Sequence, residues 1–196
     1  MVCLPFWWQV WQDGWQTPPS ANRSEETEVS DDTSTATSEE SPRTGRTFLC
    51  VVDESEEMGA ALRFACRRAS NSNGRVALLY VMQPAEFQHW AAIGERMREE
   101  AREEAEELLQ VVASVVEKRT GYVPACYIRE GKVREEVVKL IDEEKDVSLL
   151  ILGAATGTDG PGPLVTYLVE KMAGKLRIPV TIVPGNLTDE QVDAIT

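Results

Sequence analysis

The chain has 196 residues, 42% of them hydrophobic, which is enough for one domain with a real core and for extensions. Its formal net charge of −13 argues against binding to nucleic acid or to an anionic membrane, because both select basic surfaces. No apolar run approaches the roughly 18 residues that span a bilayer. We therefore expect neither nucleic acid nor a membrane among the partners of this protein.

The first 46 residues differ from the rest, with eight acids, three bases and a long Ser/Thr-rich stretch. Such a composition cannot bury enough apolar surface to fold, so residues 1–46 are predicted to form a disordered acidic extension. Its Trp-rich start has large apolar residues at helical spacing: Leu4, Trp8, Trp11 and Trp15. A membrane-interface anchor would need basic residues, and the first is Arg23. We favour a disordered start, or translated upstream sequence, and assign it no function.

From Thr47 onward, short apolar runs alternate with amphipathic stretches. Strands are predicted in chain order at 47–52, 75–81, 122–130, 147–153 and 179–184. Helices are predicted between them at 58–70, 86–118, 133–141 and 164–176. This alternation predicts an α/β fold, a doubly wound five-stranded parallel sheet with helices on both faces. Pro124 lies inside the third predicted strand, which therefore belongs at a sheet edge.

The longest predicted helix carries the charge run "REEAREEAEE", which we interpret as a solvated surface. Its predicted apolar stripe consists of Ile93, Met97, Ala101, Ala105, Leu108, Val112 and Val116.

Two segments are candidates for a ligand site, because doubly wound sheets bind ligands beyond the carboxyl ends of their strands. One is Asp53 with the following "ESEE", directly after the first strand. The other is "GAATGTDGPGPLVTY" at 153–167, between the fourth strand and the last helix of the alternating pattern. Glycine-rich turns in that position often hold phosphates with their backbone N–H groups.

Neither a catalytic residue nor a metal site is predicted. The cysteines lack CxxC spacing and are interpreted as small buried residues of a reducing cytosol: Cys3, Cys50, Cys66 and Cys126. The single histidine, His89, has no evident partner in the sequence and is interpreted as structural. A Walker A motif is excluded because Pro163 and Leu164 stand where Lys and Ser/Thr are needed. The sequence favours a protein that is not an enzyme, without deciding the point.

Successive blocks of the chain resemble the universal stress protein family, from about Thr47 to Pro184. The blocks are "FLCVVDESEEMGAALRFACRRA", "GRVALLYVMQP", "IREGKVREEVVKLI", "SLLILGAATG" and "IPVTIVP". The resemblance implies a strand order of 3-2-1-4-5 and a homodimer. In one branch of the family it also implies ATP, bound by an Asp after the first strand and by a G-x2-G-x9-G-[ST] loop after the fourth.

The loop departs from that pattern. Its family positions fall on Gly153, Thr156, Thr166 and Tyr167, so only the first matches, and Gly157 lies one residue late. A side chain in place of glycine hinders close approach of a phosphate, and the loop prolines have no N–H to donate. We favour a Gly/Pro-rich connection over a phosphate site. The alternative is an ATP-binding, slowly hydrolysing member with Mg²⁺, using the Thr166 hydroxyl and three glycines: Gly157, Gly160 and Gly162. A flavin or other adenine-cofactor carrier is a third, weaker interpretation.

The two leading interpretations predict different positions for Tyr167. If the loop does not bind ATP, we expect the Tyr167 ring to fill the phosphate space; if it does, we expect the ring to turn into the core. Asp53 has two open interpretations, a contact to the adenosine end of a nucleotide and the acidic start of the following helix.

The last strand is a candidate dimer edge formed by Val180, Thr181, Ile182 and Val183. After it, Thr188 and Gln191 have the spacing of a capping box, so residues 185–196 are predicted to hold a short helix. That helix is expected to cover the dimer edge or to dock on a partner. Together these features favour a cytoplasmic, dimeric binding or regulatory module of the stress response. We expect it to lack tight ATP binding and to act on a protein partner that the sequence does not identify.

Overall fold

The computed structural model describes residues 45–83, 91–158 and 160–196. All but the last two residues of the predicted extension 1–46 lie outside these ranges. Cys3, His89 and the predicted helix start at Glu86 also lie outside them. Within the described ranges, none of the helices combines the length and the apolar character needed to cross a membrane.

The strands form one parallel sheet in the order β3-β2-β1-β4-β5. They are β1 (Thr47–Val51), β2 (Arg75–Met82), β3 (Ala125–Glu130), β4 (Val147–Ala154) and β5 (Val180–Pro184). This confirms the predicted fold class and the strand order implied by the family resemblance. The direction of winding reverses between the neighbours β1 and β4, so this is the switch point of the sheet.

Strand position follows from composition. The central strands β1, β2 and β4 are almost continuously apolar, because helices cover both faces of the sheet at those positions. Strand β3 begins directly after Pro124 and pairs only with β2, which confirms its predicted place at an edge. A proline beside an edge strand removes no ladder hydrogen bond.

Helices connect the strands. They are α1 (Met58–Ser72), α2 (Ala91–Thr120), α3 (Val133–Glu143) and α4 (Pro163–Tyr167), with α5 (Asp189–Ala194) after the last strand. Helix α4 continues as a π-helical turn, Leu168–Met172, and then ends. The prediction of an apolar helix through Leu176 was therefore wrong at its end. The amide of Leu176 instead closes a turn onto the carbonyl of Met172.

The sheet separates two apolar layers. Helices α3 and α4 pack on one face, where Leu49, Val51, Leu140 and Leu168 belong to one buried cluster. Helices α1 and α2 pack on the opposite face, against each other and against the central strands. Alternate residues along each strand point to opposite faces, so every central strand supplies both layers.

The predicted stripe of α2 is correct only in the second half of the helix. Ala105, Val112 and Val116 are buried, but Met97 and Ala101 are exposed. The tail prediction was likewise correct in part. Helix α5 forms, but the element it packs against is α1 of the same chain.

Candidate functional site

The candidate site lies at the carboxyl ends of β1 and β4, which are neighbours in the sheet. Two connections meet there: the turn of residues 53–57, which leads from β1 into α1, and the loop of residues 155–162, which leads from β4 into α4. Both segments predicted from the sequence therefore reach the same edge of the sheet.

Asp53 is exposed, and its carboxylate is used within the turn. Its Oδ1 accepts hydrogen bonds from the backbone N–H of Ser55 at 3.0 Å and from the Ser55 hydroxyl at 2.5 Å. Helix α1 begins only at Met58, and its N-cap residue, Glu57, makes no side-chain capping bond. The interpretation of Asp53 as part of the helix start was therefore wrong: the carboxylate closes a separate turn, five residues before the first residue of the helix.

Gly153 is required by close packing. A Cβ at this position would lie 2.6 Å from the carbonyl oxygen of Glu57 and 2.7 Å from its carbonyl carbon. Gly185 approaches the same residue from the end of β5, where a Cβ would lie 2.5 Å from the Glu57 Cβ. Gly153 in β4 and Gly185, directly after β5, thus both pack on Glu57, the last residue of the turn. The first position of the family loop pattern is occupied here by a glycine that packs against protein backbone.

The other loop glycines have no such neighbour. Thr156 and Gly157 are exposed, and a Cβ on Gly157 would meet no atom within 4 Å. Gly160 and Gly162 have φ values of +88° and +100°, a region that favours glycine, and Gly162 is the N-cap of α4. Gly160 and Gly162 thus allow the chain to turn before α4. Pro163 lies in the first turn of α4, as predicted.

Thr166 and Tyr167 lie in α4, on the same side of the sheet as α3. The Thr166 hydroxyl donates a hydrogen bond to the carbonyl of Gly162 at 2.9 Å. The Tyr167 ring is half-buried against the apolar cluster beneath α3 and α4. The Arg134 guanidinium of α3 lies over the ring, 5.4 Å from its centroid. The ring has the orientation that we expected of the ATP-binding alternative.

A cleft of about 340 Å³ lies on the outer side of α4. It is lined by Arg134, Gly162, Pro163, Thr166, Tyr167, Glu170 and Lys171. It contains two of the predicted site residues, Thr166 and Tyr167, whereas Asp53 and Gly153 lie at the strand ends and do not line it. The sequence analysis missed its two cations, since Arg134 and Lys171 are ordinary surface positions of predicted helices.

The turn of residues 53–57 is strongly acidic, with four carboxylates in five positions. The turn affects Tyr80 of β2. Burial is the largest cause that raises the pKa of the Tyr80 phenol, and the carboxylates of Glu54, Glu104 and Asp53 raise it further. The loop of residues 155–162 has no Lys or Arg in its sequence. The turn therefore places several negative charges at the carboxyl end of β1.

The predicted dimer edge is at the border of the sheet, because β5 pairs only with β4. Ile182 is 38% exposed, Val180 and Thr181 are half-buried, and Val183 is buried. The outer row of backbone groups of β5 faces away from β4.

Comparisons with known proteins agree with this architecture. The model of the universal stress protein family matches residues 45–184. A curated universal stress protein of Mycolicibacterium smegmatis is 29% identical over 148 residues, covering 71% of this chain and 48% of the relative, so the chain spans about half the length of that protein.

Two solved structures have the same fold. Universal stress protein UspA from Lactobacillus plantarum is 19% identical with a TM-score of 0.60, covering 70% of this chain and 97% of its own. A universal stress protein in complex with cAMP is 18% identical with a TM-score of 0.54, covering 70% and 96%. From the family match and the strand order together, the chain belongs to the universal stress protein family.

Proposed function

We propose that this protein is a cytoplasmic, dimeric binding and regulatory module of the stress response, and that it does not bind ATP tightly. Its membership of the family supplies the stress-response setting. The residues at the strand ends support the absence of tight ATP binding, and the exposed edge of β5 supports the dimer.

The observation that carries the proposal is the charge at the switch point. The turn of residues 53–57 holds four carboxylates, and neither it nor the loop of residues 155–162 contains a Lys or Arg. A triphosphate placed beside them would add several negative charges without a side-chain cation to balance them. A bound Mg²⁺ would offset only part of that charge.

Several groups in and directly after the two segments are also poorly placed to contact a nucleotide. Thr166 donates its hydroxyl proton to Gly162. Pro161 and Pro163 have no backbone N–H. Asp53, which would contact the adenosine end in the ATP-binding branch, already accepts two hydrogen bonds from Ser55.

One observation favours the alternative, an ATP-binding member that hydrolyses slowly through its modified loop. The Tyr167 ring packs against the apolar cluster, as expected of this alternative. The relative solved with cAMP supports an adenine nucleotide as the ligand class. In this alternative Gly157, whose backbone is unobstructed, would take the place of the family glycine.

The phosphate series adenosine, AMP, ADP and ATP separates the two proposals. If charge excludes phosphates, affinity falls with each added phosphate, and Mg-ATP gives no measurable binding. In a Glu54→Gln, Glu56→Gln variant the penalty for each phosphate should shrink several-fold, since each exposed charge contributes up to about 1 kcal/mol. Glu99→Gln, Glu103→Gln on exposed positions of α2 is the matched control. Affinity that rises from adenosine to ATP would contradict the proposal and favour the alternative.

Dimerisation is proposed through β5, where an unpaired edge carries the exposed Ile182. Two such edges can pair about a two-fold axis, which closes the assembly at two copies. The partner protein that such a dimer would regulate has no signature in the sequence.

A further inference from the structure

The C-terminal tail, residues 185–196, lies beyond the residues that match the family model. It nevertheless forms α5, a helix whose start is fixed by a complete capping box between Thr188 and Gln191. A helix of six residues has no stability of its own in water. Its formation therefore depends on what it packs against.

Helix α5 is held on α1 by paired ions. Arg63 donates two hydrogen bonds to the Asp193 carboxylate, at 2.8 and 2.6 Å, and a third to Asp189 at 2.5 Å. Arg67 donates two more to Asp193, at 2.9 and 2.6 Å. Arg63 is 12% exposed and Asp193 is 24% exposed, so solvent screens this cluster less than an ordinary surface pair. Val192, which lies between Asp189 and Asp193 in the sequence of α5, is buried.

A third arginine gives the two carboxylates of α5 a further electrostatic role. Burial first, and the neighbouring Arg63 second, lower the pKa of Arg119, at the end of α2, to about 10, whereas Cys66, Asp189 and Asp193 act in the opposite direction. Without α5, the carboxylates of Asp189 and Asp193 would no longer offset the repulsion between the partly buried guanidinium groups of Arg63 and Arg119. Docking of the tail neutralises this cationic surface of α1 and α2.

The docked tail also reaches the candidate site. Between β5 and α5, Gly185 donates its N–H to the carbonyl of Ala154 at 2.9 Å and packs on Glu57. Gly153 packs on the carbonyl group of Glu57. Glu57 ends the turn that holds Asp53. In this turn Ser55 hydrogen-bonds to Asp53, Met58 donates to the Ser55 carbonyl, and Ala61 of α1 donates to the Glu57 carbonyl.

We propose that α5 is a releasable latch: while Asp193 is bound by Arg63 and Arg67, the tail presses Gly185 onto Glu57 and holds the turn of residues 53–57 in place. Release of the ion pairs frees the tail and, through Gly185, loosens the turn that carries Asp53. The inference concerns the position of the turn, so it goes beyond the proposed function and holds whether or not a nucleotide binds there.

Hydrogen exchange of the full-length protein, followed by mass spectrometry, tests this coupling. Asp193→Asn should raise exchange about tenfold both in residues 185–195 and at the amides of the turn, since bonds to a charged group are the stronger ones. Asp142→Asn, which removes the same charge at an exposed position of α3, should change neither segment. Faster exchange in the tail alone would overturn the proposal, as would unchanged exchange in the tail.

Two further measurements keep the test decisive if Asp193→Asn fails to fold. Gly185→Ala perturbs the connecting contact directly and should speed exchange at residues 53–57. In the wild type, raising sodium chloride from about 0.05 to about 1 M screens the ion pairs and should speed exchange in both segments together. If the two segments respond to salt independently, the latch is excluded.

Discussion

At the scale of single residues, Gly153 separates two uses of glycine that look alike in a sequence. In the family pattern this position begins a phosphate loop, but here its missing Cβ admits the backbone of Glu57. Gly157, four residues later, meets nothing within 4 Å and has no positive φ. The two residues therefore predict opposite responses to the same substitution.

Gly153→Ala should lower the free energy of unfolding by about 1–3 kcal/mol, because the added methyl group overlaps backbone atoms that cannot rotate away. Gly157→Ala, the matched control, should be neutral or stabilise slightly by restricting the unfolded chain. Urea denaturation followed by circular dichroism measures both. Equal destabilisation by the two substitutions would show that close packing is not the role of Gly153.

At the scale of elements, α5 is held by charge and should respond to pH. Hydrogen bonds from Arg67 and then Arg63 hold the pKa of Asp193 well below its ordinary range, and the facing Arg119 and Asp189 complete the cluster. A depressed carboxyl pKa contributes stability that is fully present above the unfolded value of about 4. That contribution is lost as pH falls from there toward the folded value.

The difference in unfolding free energy between wild type and Asp193→Asn should be roughly 1–3 kcal/mol and constant from about pH 5.5 to 7.5. Below about pH 4 it should shrink, because Asp193 then becomes protonated in the unfolded wild type while its folded carboxylate is still charged, so that acid favours unfolding. Denaturation curves of both proteins across this range give the difference directly. A difference at pH 3 as large as that at pH 7 would contradict the assignment of Asp193 as the charged partner.

The second element with a testable role is β5. Ile182→Lys places a charge on the proposed dimer edge and should raise the dimer dissociation constant at least about tenfold, as measured by sedimentation equilibrium. Val123→Lys is the control, since Val123 is 69% exposed and lies just before the strand at the opposite edge. If both variants remain dimers of equal strength, the interface lies elsewhere.

Elements were predictable where local pattern and packing agree. The strands and α1 follow from apolar runs and helical spacing, and the capping box identified α5 from Thr188 and Gln191 alone. Exposure of Met97 and Ala101 was not predictable, because spacing shows which residues share a face but not how far the sheet extends beneath them. The docking of α5 could have been suspected, since Arg63 and Arg67 are spaced four apart, as are Asp189 and Asp193.

At the scale of the whole molecule, the net charge of −13 includes a local concentration at the carboxyl ends of the sheet, where a nucleotide of this fold would lie. The sequence predicted that the turn after β1 and the loop after β4 reach the same end of the sheet, and it shows where the loop departs from the ATP-binding pattern. It could not predict that Gly153 packs on Glu57, that Thr166 is bonded to Gly162, or that Arg134 covers Tyr167, because each contact joins separate segments or depends on side-chain direction. These contacts distinguish the candidate site of this chain from the ATP-binding pattern of its family.

The most direct test of the proposed function is a calorimetric titration of the purified protein with Mg-ATP, after any carried-over nucleotide has been released and identified. We predict no heat of binding and no bound nucleotide from a folded protein, because the strand ends repel the triphosphate. Micromolar binding that Asp53→Ala abolishes would contradict this account. The loop of residues 155–162 would then bind ATP in a register other than that of the family pattern.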